Sequence, residues 1–168
     1  MTTTEREARM RPRARTRQYP STALTRAAVE DARALALELA GLRPHQMVDA
    51  SSLGIVVEPG ETALRSVPIW LRWQVDGEWQ AAQHCAALVT DQRVVVRLVT
   101  SGLRSFWWGS LVGLDIDLSA GHVVLDFGDG RPRALSGEAA PVVAVAGVAA
   151  AYGIEALATH EAIGPLRS

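Results

Sequence analysis

Several residue types that define common classes of protein are scarce or missing in this chain. It has a single cysteine, Cys85, so it can form no disulfide within itself and cannot build a zinc site from clustered cysteines. It has no lysine, and all 17 of its basic residues are arginine. The absence of lysine is typical of the codon bias of a high-GC genome, so we expect a bacterial source.

Long hydrophobic runs are also missing. A membrane-spanning helix needs about 20 consecutive apolar residues, and the longest apolar stretch, Val142 to Ala151, is too short and too rich in alanine. The N-terminus is rich in arginine and has no apolar core, so it does not resemble a secretory signal. We therefore expect a cytoplasmic protein, whose 168 residues fit one domain with a modest extension.

The net charge is close to zero but unevenly distributed. Residues 1–20 hold six arginines against two acids, a balance of +4, whereas residues 21–168 hold 11 arginines against 16 acids, a balance of −5. With few bulky apolar residues, residues 1–20 are predicted to be a disordered tail. The tail could grip nucleic-acid phosphates or an anionic membrane surface, or it could simply be solvated. The candidate residues are Arg9, Arg11, Arg13, Arg15 and Arg17.

Residues 21–42 are predicted to form an N-terminal helix. Their apolar side chains recur at steps of three and four and make one stripe. Ser21 or Thr22 can cap the first turn, and Gly41 can end the helix. The stripe needs a surface to pack on, which is either the rest of the chain or a partner. Residues 43–54 follow as a linker.

After the linker, apolar residues alternate with polar ones, which indicates β-strands. The Asp76-Gly77 pair is a strong hairpin signal because both residues tolerate positive φ. The predicted strands are Val67–Val75, Trp79–Thr90, 94–99, 112–118, 123–127 and 133–135, with a short segment containing Phe106, Trp107 and Trp108 among them. Helical character returns at residues 138–152, where Pro141 fits the first turn and Gly153 the left-handed C-cap.

This order predicts a mainly β, α+β domain. Six or seven antiparallel strands form a bent sheet or partly open barrel, preceded by the N-terminal helix. An open sheet must cover its inner face and its open end. The C-terminal helix, which carries almost no charge, is suited to that role.

Three stretches, in this order, resemble the PH superfold and in particular GRAM-type and bacterial PH-like domains. Ala87 to Val96 is similar to the family's apolar-Thr-x-x-Arg-apolar strand–turn–strand. Trp108 to Asp115 is similar to its next strand, and Val123 to Arg131 to its late hairpin with a Gly-Asp-Gly turn. The expected PH/GRAM-like domain spans residues 55–153, and residues 154–168 form a C-terminal tail.

The resemblance implies a binding or scaffolding module and not an enzyme. PH-like folds bind phosphoinositides in some members and peptides or protein surfaces in many others. Members that bind lipid headgroups carry clustered basic residues on the first hairpin, whereas here Asp76 and Glu78 make that hairpin acidic. This departure counts against phosphoinositide binding, and no cofactor or small-molecule substrate is expected.

Three tryptophans are candidate partner-binding residues. Tryptophan is enriched at interface hot spots, and Trp70 alternates with Ile69 and Leu71, so it faces the other side of its strand. Trp107 and Trp108 are adjacent, so one of the two should point outward. The alternative is that these rings fill the barrel or cover its end.

No catalytic or metal motif stands out from the background. Asp115 and Asp117 form an Asp-x-Asp pattern that is better explained by acids on the solvent face of a strand. His84 and Cys85 are successive strand residues facing opposite ways, so they cannot pair directly as base and nucleophile. We therefore predict no catalytic residues and no metal ligands.

The sequence favours a non-catalytic module acting through protein–protein contacts, as a homo-oligomer or as a subunit of a larger assembly. The alternative is a peripheral adaptor for nucleic acid or anionic membranes, with the arginine tail supplying the affinity.

Overall fold

A computed structural model of the chain describes residues 24–168. The two α-helices of this part are α1 (Arg26–Leu39) and α2 (Ala140–Tyr152). Its strands are β1 (Ala63–Val75), β2 (Glu78–Trp79), β3 (Gln83–Thr90), β4 (Arg93–Leu98), β5 (Gly102–Trp107), β6 (Gly113–Asp117), β7 (His122–Asp126) and β8 (Arg133–Ser136). Short 3₁₀ helices lie at Ser51–Leu53, Trp108–Ser110, Ile154–Ala158 and Glu161–Leu166. The predicted arginine tail and the predicted caps Ser21 and Thr22 lie outside the described residues.

The strands form one antiparallel sheet in the order β5-β4-β3-β1-β8-β7-β6, with β2 paired only to the end of β1. β1 holds the centre because its 13 residues are long enough to pair with β3 on one side and β8 on the other. β5 and β6 are the two edges, so the sheet is not closed. This open antiparallel sheet with a C-terminal and an N-terminal helix is the predicted fold class.

Helix α2 covers the inner face of the sheet. Its first nine residues are all buried, as its apolar sequence predicts. Gly147 permits close packing, because a Cβ at this position would lie 3.4 Å from both Leu114 and Trp108. Among the described residues, neither α-helix combines the length and the apolarity needed to cross a membrane.

Helix α1 packs on its own domain. Ala32 and Leu35 are fully buried in the same hydrophobic core as the sheet and α2. Its first turn is capped by Thr25, whose Oγ1 accepts a hydrogen bond from the Ala28 N–H at 3.1 Å. The helix therefore begins later than the sequence pattern suggested.

Two further segments differ in detail from the sequence prediction. β1 begins at Ala63 instead of Val67, and the predicted strand from Trp79 to Thr90 is divided into β2 and β3. The chain after α2 packs back as two 3₁₀ helices, with Ile163 and Leu166 buried in the main core.

A buried ion pair joins α1 to β1. The Arg65 guanidinium donates to both carboxylate oxygens of Glu38, at 2.7 and 2.9 Å, and its Nε donates to Asp31 at 2.8 Å. The hydrogen bond from Arg65 holds the pKa of Glu38 below its ordinary value. The sequence pattern did not reveal this pair, because an arginine interrupts the apolar alternation where β1 begins.

A second buried network ties the β3–β4 turn to the segment before β1. Arg93 donates to the Glu61 carboxylate at 2.8 Å, and the Thr90 hydroxyl donates to the same carboxylate at 2.7 Å. Burial alone would raise the pKa of Glu61, but these hydrogen bonds outweigh burial and the pKa is lowered. The network fixes the side chain of Arg93, which also contacts the candidate Trp107.

Candidate functional site

The outer face of the sheet is only partly covered. A small hydrophobic cluster of Ile55, Leu88 and Val95 holds the segment before β1 against β3 and β4. Outside this covered area, the outer faces of β1 and of the start of β3 remain open to solvent. Trp70 lies on this open part.

Trp70 is 42% exposed but held in position by its neighbours. It pairs across the ladder with His84 of β3, and the two rings meet edge to face with centroids 4.9 Å apart. On its other side, Gly137 has φ of +111° and passes so close that a Cβ there would lie 3.3 Å from the indole ring. A ring held in this way loses little conformational freedom when a partner binds.

Trp79 extends this surface and was not among the predicted candidate residues. It pairs with Gln74, which lies on the same face of β1 as Trp70. The Arg72 guanidinium lies over the Trp79 ring, 4.8 Å from its centroid. A two-residue turn at Asp76-Gly77 pairs residue 74 with residue 79, so the register of the predicted hairpin would have identified Trp79. We call Pro68, Trp70, Trp79 and His84 the Trp70 patch.

A shallow, open groove runs from the Trp70 patch toward the β4–β5 turn. Its outward-facing walls come from three neighbouring strands, and Val99 at its far end is almost fully exposed. Arg97 flanks the groove and donates to the Leu53 carbonyl at 2.9 Å. The residues that line the groove on the outer face are Ser66, Pro68, His84, Ala86, Arg97 and Val99.

The structure places the other two candidate tryptophans in different environments. Trp107 ends β5 on the outer face and is 36% exposed, with the Arg93 guanidinium 4.5 Å from its ring centroid. Trp108 is only 5% exposed, and its indole N–H donates to the Thr90 carbonyl at 3.0 Å. Trp108 therefore belongs to the core, while β3 and β4 separate Trp107 from Trp70.

The acids at the β6 edge are exposed and locally bonded. The Asp117 carboxylate accepts hydrogen bonds from the Ser119 hydroxyl at 2.6 Å and the Ala120 N–H at 3.0 Å, which lower its pKa. Asp115 is exposed on the same strand. Within residues 24–168, no group of three or more histidines, cysteines and acids could hold a metal ion.

The His84–Cys85 pair is arranged as the strand pattern predicts. His84 faces the solvent, whereas Cys85 is buried on the inner face and its thiol lies 3.6 Å from the Ile69 carbonyl. Burial raises the pKa of Cys85 to about 11, so the thiol is protonated at neutral pH. A protonated, buried thiol is not a nucleophile.

Comparisons with known proteins do not identify a family for this chain. No protein-family model matches the chain, and no curated protein matches it significantly. A search of solved structures found the Vps36 N-terminal PH domain, which is similar over 69% of this chain and 96% of that chain, with 16% sequence identity and a TM-score of 0.45. A likeness of this size supports no statement about function.

Proposed function

We propose that this chain is a non-catalytic binding module that acts through protein–protein contacts, and that the Trp70 patch is its contact surface. The observation that carries the proposal is an ordered, solvent-exposed Trp70 on the same uncovered sheet face as a second exposed tryptophan, Trp79. In the described part of the chain, every buried polar side-chain atom has a hydrogen-bond partner.

The composition of the patch favours a protein partner. Tryptophan supplies a large apolar contact area and dominates interface hot spots when a partner shields it from water. Trp79 lies opposite Gln74, four residues along β1 from Trp70, a span of about 13 Å that one partner surface can cover together with Pro68 and His84. The partner is either a second copy of the chain or another subunit of an assembly.

The alternative proposal uses the arginine tail. Residues 1–20 carry a balance of +4 on a chain whose remainder is acidic. Such a segment binds nucleic-acid phosphates or anionic lipid headgroups with strong salt dependence. In that case the folded domain mainly carries the tail, and the Trp70 patch is not needed for binding.

The test is capture from native extract by the full chain, followed by rebinding of each captured protein in purified form. Three chains are compared: the wild type, Trp70→Ala, and Met47→Ala as a matched control, since Met47 is an exposed apolar residue in the linker. A true hot spot is worth about 2 kcal/mol or more, so Trp70→Ala should weaken rebinding roughly 30-fold. Met47→Ala should bind like the wild type.

A fourth chain separates the alternative. It replaces Arg9, Arg11, Arg13, Arg15 and Arg17 with glutamine and is assayed with and without nuclease. Binding that survives these changes but is lost in Trp70→Ala supports the protein-binding module. Binding that is lost with the arginines or on nuclease treatment, and kept in Trp70→Ala, supports the adaptor and rejects the Trp70 patch.

A further inference from the structure

Strand β5 is an uncovered edge of the sheet. β4 pairs with it along Gly102–Trp107. The opposite edge, β6, lies beside the C-terminal 3₁₀ helix Glu161–Leu166. Among residues 24–168, no helix or strand other than β4 packs extensively along β5. An uncovered edge is a template on which another strand can pair.

The backbone of β5 has hydrogen-bonding groups to offer. In an antiparallel pair, alternate residues direct their N–H and C=O groups toward the partner strand, and the residues between them direct theirs outward. Within the described chain, no backbone hydrogen bond outside the β4 ladder involves residues 102–107. An extended segment laid along this edge can therefore bond to the main chain.

The outer side of the β5 edge is apolar and ordered. Leu103 is 42% exposed there, and Trp107 lies on the same side four residues further along. Arg93 stacks on Trp107 and donates to the Ser105 hydroxyl at 2.9 Å, which fixes both side chains. This side offers two apolar contacts to the side chains of an added strand.

The inner side of the same edge is basic. Arg104 points into a small cleft at the open end of the sheet, lined by Trp73, Ser101, Arg104, Phe106, Arg131 and Arg133. Arg133 is paired with Asp129 at 2.7 Å. In the described part of the chain, the guanidinium groups of Arg104 and Arg131 have neither a hydrogen bond nor an ion pair. The cleft therefore carries uncompensated positive charge, which suits a carboxylate.

We propose that β5 receives an extended segment of a partner protein, in which acidic residues alternate with apolar ones. Because strand side chains alternate between faces, the acidic ones would face the arginine cleft and the apolar ones Leu103 and Trp107. This inference rests on the proposed role as a protein-binding module. It adds a second contact surface, away from the Trp70 patch, and defines the chemistry of the segment.

The test uses a fluorescein-labelled nine-residue peptide that alternates glutamate and valine, titrated with the full chain and followed by fluorescence anisotropy. The wild type should bind it. Arg104→Glu should weaken binding at least about tenfold, because a charge-assisted hydrogen bond is replaced by repulsion. Arg43→Glu is the matched control, since Arg43 is exposed and belongs neither to β5 nor to the arginine cleft, and it should leave binding unchanged.

Modified peptides test the mode of binding. Two peptides are compared, one N-methylated at its odd-numbered residues and one at its even-numbered residues. One of them should lose binding and the other should keep it, because only one edge of the peptide bonds to β5. A peptide of the same composition, with its valines and glutamates in separate blocks, should bind at least tenfold more weakly.

Three results would overturn the inference. The first is equal binding of the alternating and block peptides with full displacement by inorganic phosphate, which would indicate a simple anion site. The second is unchanged binding of both N-methylated peptides. The third is a dimer in light scattering that Arg104→Glu dissociates while the peptide does not bind, which would make a second copy the occupant. Trp70→Ala should not alter peptide binding, so failure here is distinguishable from failure of the proposed function.

Discussion

Replacing Arg65 with methionine should destabilise the domain far more than removing an exposed arginine. The Arg65 and Glu38 side chains are each 3% exposed and meet at 2.7 Å. Methionine can fill much of the space left by the arginine stem, but it leaves the Glu38 carboxylate buried without its guanidinium partner, with only the half-exposed His45 ring 3.8 Å away. Asp31, the other partner, is 40% exposed and can be hydrated.

The expected magnitude follows from the burial of the pair. Removing one member of a buried ion pair costs about 3–5 kcal/mol, a large part of the roughly 5–15 kcal/mol by which domains are stable. Replacing both charges with apolar groups is often nearly neutral. The double variant Arg65→Met with Glu38→Leu should therefore recover most of the stability that Arg65→Met loses.

Urea unfolding, monitored by tryptophan fluorescence, measures these changes in the free energy of unfolding. The free energy of unfolding falls by about 2 kcal/mol per M urea for a domain of this kind, so the urea midpoint of Arg65→Met should fall by roughly 1.5–2.5 M. Arg26→Met is the control, because its ion pair with Glu30 is exposed and worth at most about 1 kcal/mol. A loss of stability in Arg65→Met no larger than in the control would refute the reasoning. So would a double variant whose loss of stability equals the sum of the losses in Arg65→Met and in Glu38→Leu alone.

Two further predictions concern titratable groups. The hydrogen bond from Arg65 lowers the pKa of Glu38, so this stabilisation is complete above the ordinary pKa of 4.5 and is lost as the pH falls through the lowered value. The decline of the urea midpoint below about pH 5 should be shallower in Glu38→Gln, and an unchanged decline would contradict this. Burial raises the pKa of Cys85 to about 11, so iodoacetamide should modify the thiol at pH 8 only after unfolding in urea. Modification of the native chain at the rate of a free thiol would be the contrary result.

Much of the fold could be predicted because its local signals are strong. The alternation from Val67 to Val75 and the Asp76-Gly77 pair predict a strand followed by a tight turn, and the structure has positive φ at both turn residues. The uncharged C-terminal helix had to be buried, and it covers the inner face of the sheet. In each case the residues themselves determine the local structure.

The parts that could not be predicted depend on contacts between distant residues. Nothing near Arg65 in sequence indicates that its partner lies on α1, 27 residues earlier. The cover of the outer face by Ile55 likewise depends on Leu88 and Val95, which lie in later strands.

The candidate surface was predictable only in part. Strand alternation correctly placed Trp70 on the outer face, and one of the adjacent pair Trp107 and Trp108 does face outward. Which member of the pair is buried depends on the turn into the 3₁₀ helix at Trp108–Ser110 and on its packing against α2. The sequence pattern contains neither of these constraints.

Hydroxyl-radical footprinting of the full chain, alone and with a captured protein that rebinds in purified form, tests the Trp70 patch most directly. In the free chain, Trp70 and Trp79 should be oxidised readily and the buried Trp108 should not. With the partner bound, oxidation of Trp70 and Trp79 should fall, while that of Met47, which is exposed and lies outside the Trp70 patch, stays unchanged. Equal oxidation of Trp70 with and without the bound partner would contradict the proposed protein-binding surface.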